Sequence, residues 1–368
     1  MKLLKEILKN KEELINLKFN KADIVFPGVV INLSSESINV LNYIEQYLQR
    51  YDRKIDFNIQ YFNIIHISNE LVLDELYKMQ ECVTEFETIK IHKNNSYIKK
   101  IGYNEIKLFY DYQKNYVVIN KDNYYEVVTS NIKSEAIVLR IIREILFRSY
   151  ENNKFILLHA AAVQDKDGRG IIICGEKAKG KTSCLLSYLN VGMKFVANDR
   201  VAVGVHNNKL YLIYIPLATR VGKGTINNIA KLKSAIYSDK KFTRMQNGLF
   251  FTDKSNEIGS KIKFELSTTE VSEIFGVDSI ACCELKKCIF PEICFDNSGT
   301  EYSIVSKKSA FQILDLCTMT PYDDNWCNNW LIERKYTKFE FSLIKNDLLS
   351  LITKEIELEK CRFSTGKV

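Results

Sequence analysis

The sequence predicts an α/β chain, α+β overall: a phosphate-loop nucleotide domain with an N-terminal α+β module and a helical C-terminal region. Three observations carry this expectation. Arg169-Gly-Ile-Ile-Ile-Cys174 has the composition of a short buried strand. It runs directly into Gly175-Glu176-Lys177-Ala178-Lys179-Gly180-Lys181-Thr182, a complete G-x-x-x-x-G-K-[ST] loop, and Lys181 to Asn190 then reads as the helix that such a loop opens. Shortly afterwards the apolar strand Met193-Lys-Phe-Val-Ala197 ends in Asn198-Asp199-Arg200, which puts a carboxylate at a strand end after the loop helix.

The remaining elements follow in chain order. Residues 1–19 place Leu3, Leu4, Ile7, Leu8, Leu14 and Ile15 at helical spacing with five lysines between them; the pattern suits a helix docked on its own domain or one lying on a membrane surface. Asp23-Ile-Val-Phe26 and Val29-Val-Ile-Asn-Leu33 read as strands, Ser35 to Arg50 as a helix, Asn63 to Ile67 as a strand, and Tyr97 to Val128 as a β-rich stretch. A helix at Lys133 to Arg148 buries Ile137, Leu139, Ile141, Ile142, Ile145 and Leu146, and the polar stretch Tyr150 to Lys154 closes the first module. The second opens with a strand at Phe155 to Val163 and a turn at Asp165 to Gly168. Beyond Asp199 the pattern is β-rich, through Val201 to Val205 and Leu210 to Ile215. From Ser306 it turns helical, with helices at Ser309 to Thr318 and Ser342 to Glu359 and a strand at Tyr336 to Leu343. The expected divisions are 1–150, 151–305 and 306–368.

Composition narrows the function class. With 368 residues, 46% hydrophobic and 26% charged, the chain has ample material for about two globular domains. A net charge of +7 with lysines scattered among acids gives weak support for an acidic substrate and little for nucleic acid. No apolar run reaches the roughly 18 residues of a membrane span. Charges interrupt the first residues every few positions, which argues against a signal peptide; ten cysteines then read as reduced thiols in a cytoplasmic protein. Cys282, Cys283, Cys288 and Cys294 lack a C-x-x-C pair and a nearby histidine, so strand-core thiols are favoured over a zinc site.

The loop has a specific chemistry. Gly175 and Gly180 free backbone N–H groups to converge on phosphate oxygens at the positive end of the helix, which also begins with Lys181, Thr182 and Ser183. Lys181 is placed to reach the β- and γ-phosphates, and the Thr182 hydroxyl and Asp199 carboxylate to hold Mg²⁺. Lys177 and Lys179 add charge inside the loop, either against the phosphates or as two solvated lysines.

Leu158-His159-Ala-Ala-Ala-Val163, the loop, and Gly192-Met-Lys-Phe-Val-Ala-Asn-Asp-Arg-Val201 together resemble the nucleotide domain of the HPr serine kinase/phosphorylase family, including relatives found with peptide-modification gene clusters. The likeness covers residues 155 to 205, with an echo at Thr219-Arg-Val-Gly-Lys-Gly-Thr225. The resemblance implies ATP- and Mg²⁺-dependent phosphoryl transfer to a hydroxyl of a peptide, carrier protein or small molecule, and a homo-oligomer. It implies that His159 assists the catalytic carboxylate, although a histidine in an apolar strand is otherwise most often a satisfied core residue.

Two positions depart from the family pattern. Asn198 stands where the family has the first of two consecutive aspartates, its general base, and an amide cannot accept a proton. General-base catalysis contributes about 10²–10⁴-fold, so three outcomes follow. Asn198 orients a hydroxyl while His159 or a water takes the proton; the acceptor is already ionised, as a carboxylate or phosphate; or the site binds nucleotide without turnover, as a sensor or scaffold. Near Arg220 the family's acidic residue is replaced by Leu217-Ala218-Thr219, which leaves Arg220 either as a stabiliser of the transferring phosphoryl group or as an exposed strand-end arginine.

Overall fold

The computed structural model describes residues 2–8, 17–51, 55, 57–91, 96–130, 134–238, 263–294, 299–322 and 330–364. It is a mixed α/β structure with two large mixed sheets, and the chain divides into two compact units. The first comprises Met1–Glu45, Arg53–Asn152 and Tyr322–Lys338; the second comprises Gln46–Asp52, Asn153–Pro321 and Phe339–Val368.

In the first unit an eight-stranded sheet has the order β1-β2-β3-β8-β7-β6-β5-β4. Strands β1 (Asn20–Phe26) and β2 (Val29–Ser35) form a hairpin whose two-residue turn is Pro27-Gly28; proline presets the first turn position and Gly28, at φ +73°, supplies the positive φ of the second. Helix α2 (Ile38–Glu45) carries the chain to β3 (Gln60–Ser68), parallel to β2. After α3 (Glu70–Glu81), the meander β4 (Glu87–Ile91), β5 (Ser96–Tyr103), β6 (Ile106–Asp111), β7 (Tyr116–Lys121) and β8 (Tyr124–Thr129) returns until β8 lies parallel to β3. Helix α3 starts where Asn69 accepts a hydrogen bond from the Val72 N–H, and it buries Val72, Leu73 and Leu76.

Helix α1 (Lys2–Ile7) packs Leu3, Leu4 and Ile7 into the core shared with α3, so in this span the docked reading of the N-terminal helix is the observed one; Leu14 and Ile15 lie outside the described residues. The buried Glu126 carboxylate fixes it, accepting from Leu3 N at 3.1 Å and Leu4 N at 2.6 Å, where a helix start favours negative charge. On the other face α4 (Ser134–Asn152) packs with α2 against β2, β3 and β8. Its two buried arginines are paired, Arg140 with Asp111 at 3.3 Å and Arg148 with Glu151 at 2.7 Å.

The second unit holds a nine-stranded sheet with the path β12-β10-β11-β17-β14-β13-β9, and β19 pairs both β17 and β18. Its strands are β9 (Ile156–Leu158), β10 (Ala161–Gln164), β11 (Gly170–Ile173), β12 (Lys194–Ala197), β13 (Val201–His206), β14 (Lys209–Tyr214), β17 (Cys282–Ile293), β18 (Glu301–Ile304) and β19 (Glu357–Phe363). A small separate ladder joins β15 (Thr219–Val221) to β16 (Phe264–Leu266). The helices are α5 (Lys181–Asn190), α6 (Lys223–Asn228), α7 (Ala230–Ser238), α8 (Thr268–Phe275), α9 (Lys307–Cys317) and α10 (Lys338–Glu355). Ile173, Ile289, Cys361 and Phe363 of the sheet meet Cys184, Leu185 and Tyr188 of α5 in one buried cluster.

Four sequence expectations are corrected. The strand at Phe155 to Val163 is broken at His159-Ala160, because β9 pairs β13 whereas β10 pairs β11 and β12. The helix at Ser35 to Arg50 is only Ile38–Glu45, and Arg50 bridges Ile280 in the second unit. The strand at Tyr336 to Leu343 is not formed: Phe339, Phe341 and Leu343 alternate, but Phe341, Lys345, Leu348, Leu349 and Ile352 are buried at helical spacing on α10. The helix expected to reach Glu359 ends at Glu355, and the chain becomes β19, parallel to β17, with Leu358, Cys361 and Phe363 buried. The C-terminal region is therefore helical with a sheet strand at its end, and residues 322–338 group with the first unit. Cys283 and Cys288 are buried on β17, while Cys282 and Cys294 are half-buried.

Candidate functional site

Strand β11 delivers the chain to the loop in the center of its sheet, flanked by antiparallel β10 and parallel β17, and the Cys174 N–H extends the latter ladder to Ile289 O at 2.9 Å. The loop turns through Ala178 at φ +68° and Gly180 at φ +95°. Gly180 is required twice over: its φ is left-handed, and a Cβ there would lie 3.0 Å from Ile293 Cβ and 3.4 Å from Phe363 Cζ. As the N-cap of α5 it offers no side chain to the first N–H groups of the helix. Glu176, Lys177, Ala178 and Lys179 are exposed, Gly175 and Ser183 are buried, and Gly180, Lys181 and Thr182 are half-buried.

Lys181 folds back over the loop, its Nζ donating to Gly175 O at 2.7 Å and Glu176 O at 3.1 Å. Burial, with Lys263 nearby, lowers its pKa from the ordinary lysine value. Beneath the loop Cys317 Sγ donates to Gly175 O at 3.4 Å, and the Cys317 carbonyl accepts from the His159 backbone N–H at 2.7 Å. The end of α9 therefore ties the loop to the strand break at His159. Ser183 Oγ lies 2.8 Å from Thr225 Oγ1, which joins the start of α5 to the Gly222–Thr225 segment.

Two strand breaks face each other beside the loop. One is His159-Ala160 between β9 and β10; the other is Asn198-Asp199-Arg200 between β12 and β13, and the pairings Leu158↔Val201 and Ala162↔Ala197 hold them opposite. Asp199 sits at φ +70°, a conformation costly for most side chains and best tolerated by Asp, Asn and Gly. His159 Nδ1 is 3.0 Å from the Asp199 backbone oxygen and 3.5 Å from its Oδ1. A carbonyl oxygen only accepts, so Nδ1 carries the proton and Nε2 of the neutral ring keeps its lone pair. Burial and the neighboring Lys181 hold the His159 pKa below its ordinary value, which favors that neutral ring. Both His159 and Asp199 side chains remain 45% exposed.

His159, Lys181 and Asp199, from three separate elements, thus lie within electrostatic range of one another. Asn198 is buried next to them. Arg220 is not drawn into the group; on β15 its guanidinium binds Glu265 Oε1 of β16 at 2.8 Å, with the side chain 66% exposed. Cys317, Thr225 and Lys263 were not singled out by sequence. Only Thr225 carried a signal, as part of the Gly-Lys-Gly-Thr echo.

Thr182 and Asp199 supply a hydroxyl and a carboxylate, oxygen donors of the kind Mg²⁺ takes when nucleotide phosphates and water complete its shell. Among the described residues no group of three or more His, Cys, Asp or Glu side chains could hold a metal. No protein-family model matches the chain, and a comparison with curated proteins finds no match. No helix among the described residues is long and apolar enough to cross a membrane.

Proposed function

We propose that this protein is an ATP-dependent phosphotransferase that moves the γ-phosphoryl group to a hydroxyl of a peptide, carrier protein or small molecule, in the manner of the HPr serine kinase family. The observation that carries the reading is the arrangement of strand, left-handed Gly180 and Lys181-led helix beside the His159–Asp199 pair. The start of α5 and the loop would receive the phosphates, and Lys181 would exchange its two carbonyl contacts for phosphate oxygens. Thr182 and Asp199 would hold Mg²⁺, which supplies charge neutralization at the phosphates.

Asn198 cannot act as a base, but His159 supports a hydroxyl acceptor. Its Nδ1–H is committed to the Asp199 carbonyl, so Nε2 takes the proton that the acceptor oxygen loses as it bonds to phosphorus and the ADP oxygen departs. Asp199 orients the imidazole and stabilizes the imidazolium that forms. One observation favors a second reading, a nucleotide-binding sensor without turnover: the buried amide of Asn198 replaces the proton acceptor of the resembling family.

Calorimetry with Mg²⁺-ATP tests the site before any acceptor is known. Wild type is expected to bind in the micromolar range and Lys181→Ala to lose that binding; a wild-type chain that binds no nucleotide would end the proposal. Phosphate-bearing product, absent in His159→Gln, separates the kinase from the sensor, which would bind ATP and form none.

A further inference from the structure

We propose that the groove between α9 and α10 docks an acidic, apolar-flanked peptide segment of a partner protein, independently of whether the loop turns over nucleotide. The groove encloses ≈ 470 Å³ and is lined by Lys307, Lys308, Phe311 and Gln312 of α9 and by Thr353 and Lys354 of α10, with Ser350 at its edge. Three cations and no carboxylate line it. Lys354 has Glu355 at 3.4 Å, whereas Lys307 and Lys308 have no ion pair among the described residues.

The charge placement serves no evident purpose for the fold. Lys307 and Lys308 open α9, a turn with no acidic residue, where a helix is stabilized by negative charge and opposed by positive. Lys354 faces them from the second helix, so three like charges share one concavity. Elsewhere in this helix pair a lysine has a carboxylate, as Lys345 does in Asp315 at 2.5 Å. At Lys307 and Lys308 that local rule is broken without compensation among the described residues, which marks a surface shaped for something outside the chain.

Shape selects the occupant. The groove is open along two helices and half-buried Phe311 is part of its lining, which gives an extended chain an apolar contact beside its charged ones. Free phosphate or a bare polyanion would leave that ring unused. Helix α9 also carries Cys317 at its other end, in contact with Gly175 and His159, so a docked segment sits on the element that floors the loop.

Fluorescence anisotropy on the full chain, with a fluorescein-labeled peptide of alternating glutamate and leucine, tests this without nucleotide. Saturable binding is expected, weakened roughly tenfold or more by combined Lys307→Glu, Lys308→Glu and Lys354→Glu and severalfold by Phe311→Ala. The proposal is overturned by unchanged binding in the charge-reversed chain, by polyglutamate binding as tightly with no effect of Phe311→Ala, or by tighter binding of a single-stranded oligonucleotide or phosphatidylserine vesicles. Circular dichroism and urea midpoints establish that the variants fold. Lys308→Glu alone serves if the triple variant does not, and it must weaken binding as well.

Discussion

His66 and His159 occupy similar sequence settings, Ile-Ile-His-Ile and Leu-Leu-His-Ala, and differ entirely in environment. His66 is fully buried, Nδ1 2.9 Å from Ser35 Oγ and Nε2 2.9 Å from Thr129 Oγ1, and burial lowers its pKa to about 4. Between that value and the unfolded 6.5, the unfolded chain binds a proton that the folded chain refuses. Stability from this group is therefore complete above pH 6.5 and declines as pH falls toward 4, by about 2–3 kcal/mol over the window. Urea unfolding at pH 7 and pH 5 measures it: wild type should lose stability across that step and His66→Asn should lose less, whereas equal slopes would sink the assignment. Apolar neighbors alone could not separate these two histidines. His159 was legible only through the motif order around it, and what makes it available, a strand break facing a second break at Asp199, is a matter of partner choice between sheet halves that no local pattern encodes.

At the scale of elements, the strand–loop–helix of the site was readable because its signals are local: a run of three isoleucines, two spaced glycines, and the Lys181 to Asn190 segment that such a loop opens as a helix. Gly180→Ala should therefore act locally. The left-handed φ and the 3.0 Å approach to Ile293 predict a loss of about 1–2 kcal/mol together with loss of nucleotide binding, and a variant with wild-type melting temperature and binding would show that the glycine is dispensable. Helix α3 was missed although Asn69, Glu70 and the spacing of Val72, Leu73 and Leu76 announce it. Strand β19 was misread for a deeper reason. Glu357-Leu-Glu-Lys-Cys-Arg-Phe363 continues the charged and apolar mixture of α10, and only the parallel ladder with β17, sixty-odd residues away along the chain, makes it a strand. Phe363 closes that strand beneath Gly180, and Phe363→Ala should cost about 3–5 kcal/mol in urea unfolding as the shared core of sheet and α5 opens.

For the molecule as a whole, the polar stretch at Tyr150 to Lys154 was visible as a boundary and the two returning segments were not, since neither is marked by composition. Gln46–Asp52 belongs to the second unit, where Gln49 Nε2 donates to Val196 O at 2.8 Å and Gln46 O accepts from Thr269 N at 3.0 Å. Tyr322–Lys338 belongs to the first, where Trp330 lies 5.1 Å from the Arg140 guanidinium and Arg334 is 3.4 Å from the buried Glu151 carboxylate. A cut between Asn152 and Asn153 would leave each half without the segment the other carries: residues 1–152 lose a cation beside a carboxylate that is 1% exposed, and residues 153–368 lose the cap on the β12 backbone. Removing one partner from a buried charge group is costly, so both fragments should unfold at lower urea concentration than the intact chain, with residues 1–152 the more affected. Adding a peptide spanning residues 322–338 to that fragment should restore part of the loss. Fragments that unfold at the intact chain's midpoint would mean that the returning segments decorate the two units rather than complete them.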